Sequence, residues 1–358
     1  MDSKHELERL GYNQFFDESR LGIGAEIGQV ARVTAEHKGI YEIMNDSGTH
    51  QASVTGRRML IAASRDDYPA VGDWVIINNN DDTKVIFNIL PRKTTLHKRY
   101  GGKDESQLIL ANVDIAFIVE SVDRDYSLNR FERYVVLAKE GGVKPVIILN
   151  KSDLITKEEL QAKIEEINER FGNIDVLSTS AVADADVSKL SQLINNGATC
   201  CFLGSSGVGK SSLISKLVNI DSIITTEISE KTGRGKHTTT SRQMYFTKNG
   251  GIIIDNPGSR EVGVVNSERG ISEVFVDIES IASGCKYKNC SHIKEQGCAI
   301  MQALNDGVVS ASQYDNYIKL KKETEHYELS NYGKRQKDKK FGKFINNAKV
   351  DIKKYKPR

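Results

Sequence analysis

The sequence predicts a multidomain chain: an N-terminal OB-like β-barrel, a central α/β domain built around a phosphate-binding loop, and a C-terminal metal-binding domain that ends in a basic tail. Three observations carry this reading. Short strand-like runs punctuated by Gly, Asn and Asp fill residues 29–92. Apolar runs alternating with helical patterns then occupy about 101–265. Finally, three of the five cysteines gather within fourteen residues around a histidine. A chain of 358 residues has room for two or three domains, and 39% hydrophobic with 27% charged residues supplies both a core and a polar surface.

The barrel is expected in residues 1–98. Its strands read as Gln29–Val33, Ile40–Met44, Gln51–Val54, Trp74–Asn78 and Lys84–Leu90, with turns at Asn45–Gly48 and Asn78–Asp82. Five strands in so short a stretch suggest an OB-fold, with a generic small β-domain as the alternative. Residues 1 to about 25 look like a polar lead-in with some helix. They are charged and carry no apolar leader segment, and no run in the chain approaches the ~18 apolar residues of a membrane helix. Export and membrane spanning are therefore not expected.

The α/β domain is expected over 99–265. Ile115–Val119, Val146–Leu149, Thr199–Leu203 and Gly251–Ile254 are short apolar runs of the kind buried on both faces of a parallel sheet. Between them, 129–140 has helical spacing with Phe131, Tyr134, Val135 and Leu137 apolar, and 158–170 reads as a second helix.

The strongest motif is Gly204-Ser205-Ser206-Gly207-Val208-Gly209-Lys210-Ser211, which matches G-x-x-x-x-G-K-[ST] between an apolar strand and a helix opening at Ser212. Glycines let the backbone wrap a phosphate, and the helix N-terminus adds positive potential. Lys210 is placed to reach the outer phosphates and Ser211 to ligate Mg²⁺. This gives a nucleoside triphosphate but not its base. The base is read from Asn150-Lys151-Ser152-Asp153, an N-K-x-D set at the end of a buried strand. Asp153 can accept from the guanine N1–H and N2–H₂, a donor pair that adenine lacks. Ser180 and Ala181, within Ser178–Ala181, stand where a backbone N–H could meet guanine O6, a pattern of low specificity by itself.

Asp255-Asn256-Pro257-Gly258 reads D-x-x-G: Asp255 would hold Mg²⁺ through water, and the Gly258 N–H would touch the γ-phosphate. The polar segment from Ser222 to Arg242 ends in Lys236-His237-Thr238-Thr239-Thr240 and lies where a nucleotide-sensing switch belongs. Thr239 is its candidate Mg²⁺-side threonine. His237 is a candidate for orienting water, or is simply a solvent-facing loop residue. Ser259 occupies the position where many GTPases carry a water-orienting Gln, so slow intrinsic hydrolysis stimulated by a partner is expected. The order is unusual. N-K-x-D comes first, then the phosphate loop, then D-x-x-G: the usual GTPase parts, cyclically shifted. Such a permutation preserves a sheet when the original termini lie close together.

Cys285-x4-Cys290-x-His292-x5-Cys298 offers three thiolates and an imidazole, a full tetrahedral set for one structural Zn²⁺ within the expected domain 266–330. Three buried free cysteines with an unrelated histidine are the alternative. Cys200 and Cys201 are adjacent and poor disulfide partners, and the set as a whole fits a reducing, cytoplasmic setting. The tail, 331–358, holds eleven Lys/Arg against two Asp, a net of +9. A total of +2 therefore leaves the first 330 residues at −7. Tyr332, Phe341, Phe344 and Tyr355 interleave these charges, which suits RNA or a solvated tail.

Taken together, these motifs resemble the RsgA (YjeQ/YloQ) family of circularly permuted GTPases, across about 29–342. The resemblance implies a GTPase that binds the small ribosomal subunit and its rRNA. It would assist late maturation, hydrolyse GTP to GDP under stimulation by the subunit, and act as a monomer with one structural zinc. Asn256 departs from the Thr or Ser more usual in that family. Two other readings compete: an RNA-binding assembly scaffold with a vestigial nucleotide site, and a P-loop ATPase or kinase. Intact Lys210, Ser211, Asp153 and Asp255 argue against the scaffold, and Asp153 argues against adenine.

Overall fold

The computed structural model describes residues 3–37, 39–56, 62, 64–78, 84–99, 106–123, 126–180, 184–218, 242–255 and 267–325. Ala181, His237, Thr239, Asn256, Gly258, Ser259 and the basic tail lie outside them. The chain divides into two compact units, Met1–Lys98 with Gln107–Val262, and Arg99–Ser106 with Gly263–Arg358.

In the first unit, five strands close into a barrel: β1 (Val30–His37), β2 (Ile40–Asn45), β3 (Gly48–Val54), β4 (Trp74–Ile77) and β5 (Lys84–Ile89). The pairing runs β1–β2–β3–β5–β4 and returns from β4 to β1, leaving no free edge within the barrel. Period-two alternation fills the interior. Ala31 and Val33, Tyr41 and Ile43, Ala52 and Val54, and Val75 and Ile77 all point inward to meet Ile86. A register shift between Val33 and Ala35 bends β1.

The N-terminal lead-in is more than polar. Its two helices, α1 (Ser3–Arg9) and α2 (Gln14–Gly22), with the turn between them, bury Leu7, Leu10, Tyr12 and Phe16 against Val30, Trp74 and Ile76 on the outside of the barrel. The Tyr12 and Trp74 rings meet edge-on at 5.0 Å. Each such burial contributes about 1.5–3 kcal/mol, so this segment is part of the core.

After the two-stranded sheet of β6 (Thr95–Arg99) and β7 (Ser106–Ala111), which the sequence pattern did not suggest, the α/β sheet begins. Its strands are β8 (Ile115–Ser121), β9 (Lys144–Asn150), β10 (Val176–Thr179), β11 (Thr199–Leu203), β12 (Gln243–Phe246) and β13 (Ile252–Asp255). The order is β10-β9-β8-β11-β13-β12, parallel except for β12, which pairs antiparallel with β13 and meets β1 at Gln243–Ala35. Helices α3 (Leu128–Glu140), α4 (Lys157–Phe171), α5 (Asp184–Leu193) and α6 (Lys210–Leu217) complete the α/β pattern. The chain steps from β8 outward to β9 and β10, then returns to the other side of β8 for β11. That reversal is a topological switch point, and the crevice outside the carboxyl ends of β8 and β11 is where such sheets bind ligands.

In the second unit, α7 (Glu268–Val274), α8 (Val276–Ala282), α9 (Ala299–Asn305) and a final helix, α10, over 311–325 surround a small core. Ile271, Phe275, Ile278, Ile300, Tyr317 and Leu320 are buried, with the Phe275 and Tyr317 rings 5.4 Å apart.

Candidate nucleotide site and metal centre

The G-x-x-x-x-G-K-S loop runs from the end of β11 into α6, at the switch point. Two of its glycines are required by close approach. Gly204 (φ 142°) presses on β8, where a Cβ would come within 2.1 Å of the Val119 carbonyl oxygen. Gly209 (φ 97°) faces Asn150, where a Cβ would lie 2.2 Å from Nδ2. The Val208 side chain is fully buried among Phe117, Val119, Phe202 and Leu213, so the apex of the loop is anchored in the core. Ser206, Gly207, Ser211 and Ser212 remain exposed on the open side.

The N-K-x-D residues end β9. Asn150 is buried, donates from Nδ2 to the Val208 carbonyl at 2.7 Å, and accepts at Oδ1 from the Thr179 hydroxyl at 3.0 Å. It thereby joins β9, β10 and the phosphate loop. Lys151 takes a left-handed backbone (φ 61°), and its Nζ donates to Asp123 at 3.0 Å. Ser152 follows in the same turn of chain. Asp153 is exposed and accepts from the Ser180 hydroxyl at 2.6 Å. One carboxylate oxygen is thus held while the group faces outward, as pairing with a base edge requires.

Lys210 donates to the carbonyls of Gly204 (2.7 Å) and Ser205 (2.5 Å), curling back over the loop. Burial brings its ammonium down to about 8, against the opposing pull of Glu120 and Asp255. Asp255 ends β13 at the same end of the sheet. Of the residues proposed from sequence, the structure brings together Asn150, Lys151, Asp153, Ser180, the whole 204–212 stretch and Asp255.

Sequence reasoning overlooked three neighbours. Glu120 and Asp123 follow the apolar run of β8, and Arg130 opens α3. A charged residue at the carboxyl end of a doubly buried strand was the available signal. The Glu120 side chain is fully buried, and that burial raises its carboxyl to about 7 despite Arg130 and Ser205 nearby.

In the second unit, the four donor atoms of Cys285, Cys290, His292 and Cys298 lie within 4.8 Å of one another. The Cys285 and Cys298 sulfurs are 3.9 Å apart, with His292 Nδ1 at 3.5 and 3.7 Å from them. Tetrahedral Zn–S bonds of ~2.3 Å put sulfurs about 3.8 Å apart, whereas a disulfide needs ~2.05 Å, so the donor set fits a metal. The supporting contacts are those of a metal knuckle. Backbone N–H groups of Ala299 and Met301 point at the Cys285 and Cys298 sulfurs (3.3 and 3.5 Å). The Tyr314 hydroxyl donates to the His292 carbonyl at 2.6 Å. Glu295 accepts from the N–H groups of Ser291, Ile293 and Lys294, fixing the turn that carries His292.

A parallel sheet with this loop at its switch point, and an N-K-x-D strand locked to it, defines a P-loop GTPase. Its motifs run in circularly permuted order, with Asp153 before Lys210 and Lys210 before Asp255. The chain belongs to the RsgA GTPase family, whose model matches residues 89–265. A model described as "50S ribosome-binding GTPase" matches 199–334. The chain is 36% identical to Small ribosomal subunit biogenesis GTPase RsgA 1 of Bacteroides thetaiotaomicron, over 89% of each chain. It is 34% identical to RsgA 2 of Vibrio vulnificus, over 98% of this chain and 97% of that one. The crystal structure of YjeQ from Thermotoga maritima shares the fold at TM-score 0.59 and 25% identity, covering 82% of this chain and 96% of that one. YloQ, described as a circularly permuted GTPase, does so at TM-score 0.58 and 25% identity, covering 83% and 95%.

Proposed function

We propose that the chain hydrolyses GTP to GDP while bound to the small ribosomal subunit, assists late maturation of that subunit, and is stimulated by it. One observation supports the guanine-nucleotide reading above all. Asn150 fixes the strand that presents Asp153 directly onto the phosphate loop, so one rigid frame offers a base-reading carboxylate and a phosphate cradle together. The subunit comes from relatives whose names carry it, at 34–37% identity over most of the chain.

The chemistry assigned to each group is largely positioning. Backbone N–H groups of 204–209 and the start of α6 hold the phosphates, and Lys210 turns from the Gly204 and Ser205 carbonyls toward the outer phosphate oxygens. Ser211, Thr239 and Asp255 would hold Mg²⁺, which when bound neutralises charge on the transferred phosphoryl group. Gly258 is assigned to the γ-phosphate and His237 to water. Ser180 steadies Asp153, Lys151 covers the base, and the Ala181 N–H is assigned to guanine O6. Cys285, Cys290, His292 and Cys298 would hold one zinc, which supplies folding free energy to a segment with a small core.

Domain limits of 1–98, 99–265, 266–330 and 331–358 divide these roles. The barrel, zinc segment and +9 tail are assigned to rRNA. A single chain supplies both halves of the nucleotide site and all four metal donors, which supports action as a monomer. No helix among the described residues is long and apolar enough to cross a membrane, and the thiol-rich metal centre suits the reducing cytoplasm. Calorimetric titration with GTP and ATP tests the base assignment. Wild type should prefer GTP strongly and Asp153→Ala should lose the preference; an unchanged preference would remove Asp153 from the site.

A further inference from the structure

Against the phosphate loop, at Ser205, lies a charged cluster that the assignments above leave unused. Glu120 ends the apolar part of β8 with its side chain fully buried. The Ser205 hydroxyl, second in the phosphate loop, donates to Glu120 Oε1 at 3.2 Å. Arg130, from the first turn of α3, donates from Nη1 to the same Ser205 oxygen at 3.1 Å. That nitrogen lies 3.7 Å from Glu120 Oε2, an oxygen without a hydrogen-bond partner among the described residues. Tyr134, one turn further along α3, faces the same cluster, and burial followed by the Glu120 charge pushes its phenol up.

This arrangement poses an electrostatic problem. A phosphate loop gathers positive potential for a polyanion, yet here a carboxylate is buried directly behind it. Desolvation pushes Glu120 up to about 7, and Arg130 is the largest influence holding its ionised form, followed by Ser205 and, further down, Lys210. While ionised, a buried carboxylate stripped of its cation would both destabilise the site and repel phosphates; at lower pH it takes up a proton instead. The contact geometry also constrains the backbone. Gly204 already touches Val119 with no room for a Cβ, so fixing Ser205 to the next residue of β8 and to α3 sets the first turn of the loop.

We propose that Glu120 and Arg130 form a charge-balanced brace that positions the phosphate loop through Ser205, with Arg130 cancelling a carboxylate charge that would otherwise oppose a polyphosphate. Both are positioning residues. Neither is assigned to touch nucleotide, and the proposal rests on reading 204–212 as the nucleotide site.

A double-mutant cycle tests it. GTP and GDP are titrated by calorimetry into the full chain carrying Arg130→Ala, Glu120→Gln or both, with melting of the nucleotide-free proteins recorded to confirm folding. Titrated well above pH 7, where Glu120 is ionised, Arg130→Ala should weaken GTP at least about tenfold, and GDP less, because an uncompensated carboxylate then faces the phosphates; toward pH 6 the loss should shrink as Glu120 takes up a proton. Glu120→Gln keeps the shape and the acceptor, and should bind as well as wild type or better. Added to Arg130→Ala, it should restore most of the lost affinity. At the higher pH, an Arg130→Ala chain that binds GTP like wild type, or a double variant no better than Arg130→Ala, overturns the brace. Wild-type protein that binds no GTP overturns the nucleotide-site reading itself, a result distinct from either.

Discussion

The Asn150 side-chain amide donates to the Val208 carbonyl across 2.7 Å, tying the strand that carries the base-side motif to the apex of the phosphate loop. In a permuted chain this bond joins two motifs 58 residues apart in sequence. It makes the fidelity of base reading depend on the same buried amide that shapes the phosphate cradle.

Asn150→Ala should therefore harm both stability and binding. It leaves the Val208 carbonyl and the buried Thr179 hydroxyl without these partners, at about 1–3 kcal/mol for each unsatisfied group. Denaturant unfolding of the nucleotide-free protein should show that loss, and GTP titration a weaker complex. Unchanged values in both would mean the loop is held by its glycines and Val208 alone.

Asp123→Ala tests the lysine that covers the base. The Lys151–Asp123 pair spans 3.0 Å with both side chains about 30% exposed, so stability should fall by less than about 1 kcal/mol. GTP should nevertheless bind roughly two- to fivefold more weakly, because Lys151 loses its tether. Loss of binding beyond tenfold would assign Asp123 a direct contact instead.

Glu120 gives a signed pH dependence. Its folded carboxyl is raised to about 7 from an ordinary 4.5, so between those values the folded state holds a proton that the unfolded state has released. Its contribution therefore opposes folding above pH 7 and is relieved as pH falls toward 4.5, by on the order of 3 kcal/mol. Wild type and Glu120→Gln should differ most in stability above pH 7 and converge toward pH 5. Parallel curves throughout would mean that Glu120 stays ionised in the fold.

Removing metal should act on the second unit. Zinc analysis should give one ion per chain, and a strong chelator or Cys298→Ser should unfold the helical segment around 267–325 while GTP binding by the first unit persists. Apparent zinc-binding free energies of about 10–16 kcal/mol in small metal domains set the scale of the stability that removal should cost. Identical melting with and without chelator would reduce the cluster to packed thiols.

Much of this was legible because local pattern and chemistry coincide. The barrel strands are short runs closed by Gly, Asn and Asp turns, so Ile40–Met44, Trp74–Asn78 and Lys84–Leu90 fall on the observed β2, β4 and β5. The doubly buried strands β8, β9, β11 and β13 read as apolar runs, and the phosphate and metal motifs are contiguous enough to need no fold. What remained hidden depends on tertiary placement. The burial of Leu7, Leu10, Tyr12 and Phe16 required a barrel face to pack on. Strand β12 is short and mixed in character and exists as a partner of β13. Glu120, Asp123 and Arg130 are ordinary surface types in sequence, and only the switch point puts them behind the phosphate loop and beside Lys151.

The central claim is subunit-stimulated GTP hydrolysis at the Lys210 site. Its most direct measurement is phosphate release from GTP by wild type and Lys210→Ala, each alone, with purified small subunits and with purified large subunits. The account predicts slow turnover by wild type alone, strong stimulation by small subunits, none by large ones, and no stimulated turnover by Lys210→Ala. Wild-type turnover indifferent to small subunits, or equal turnover by Lys210→Ala, would contradict it.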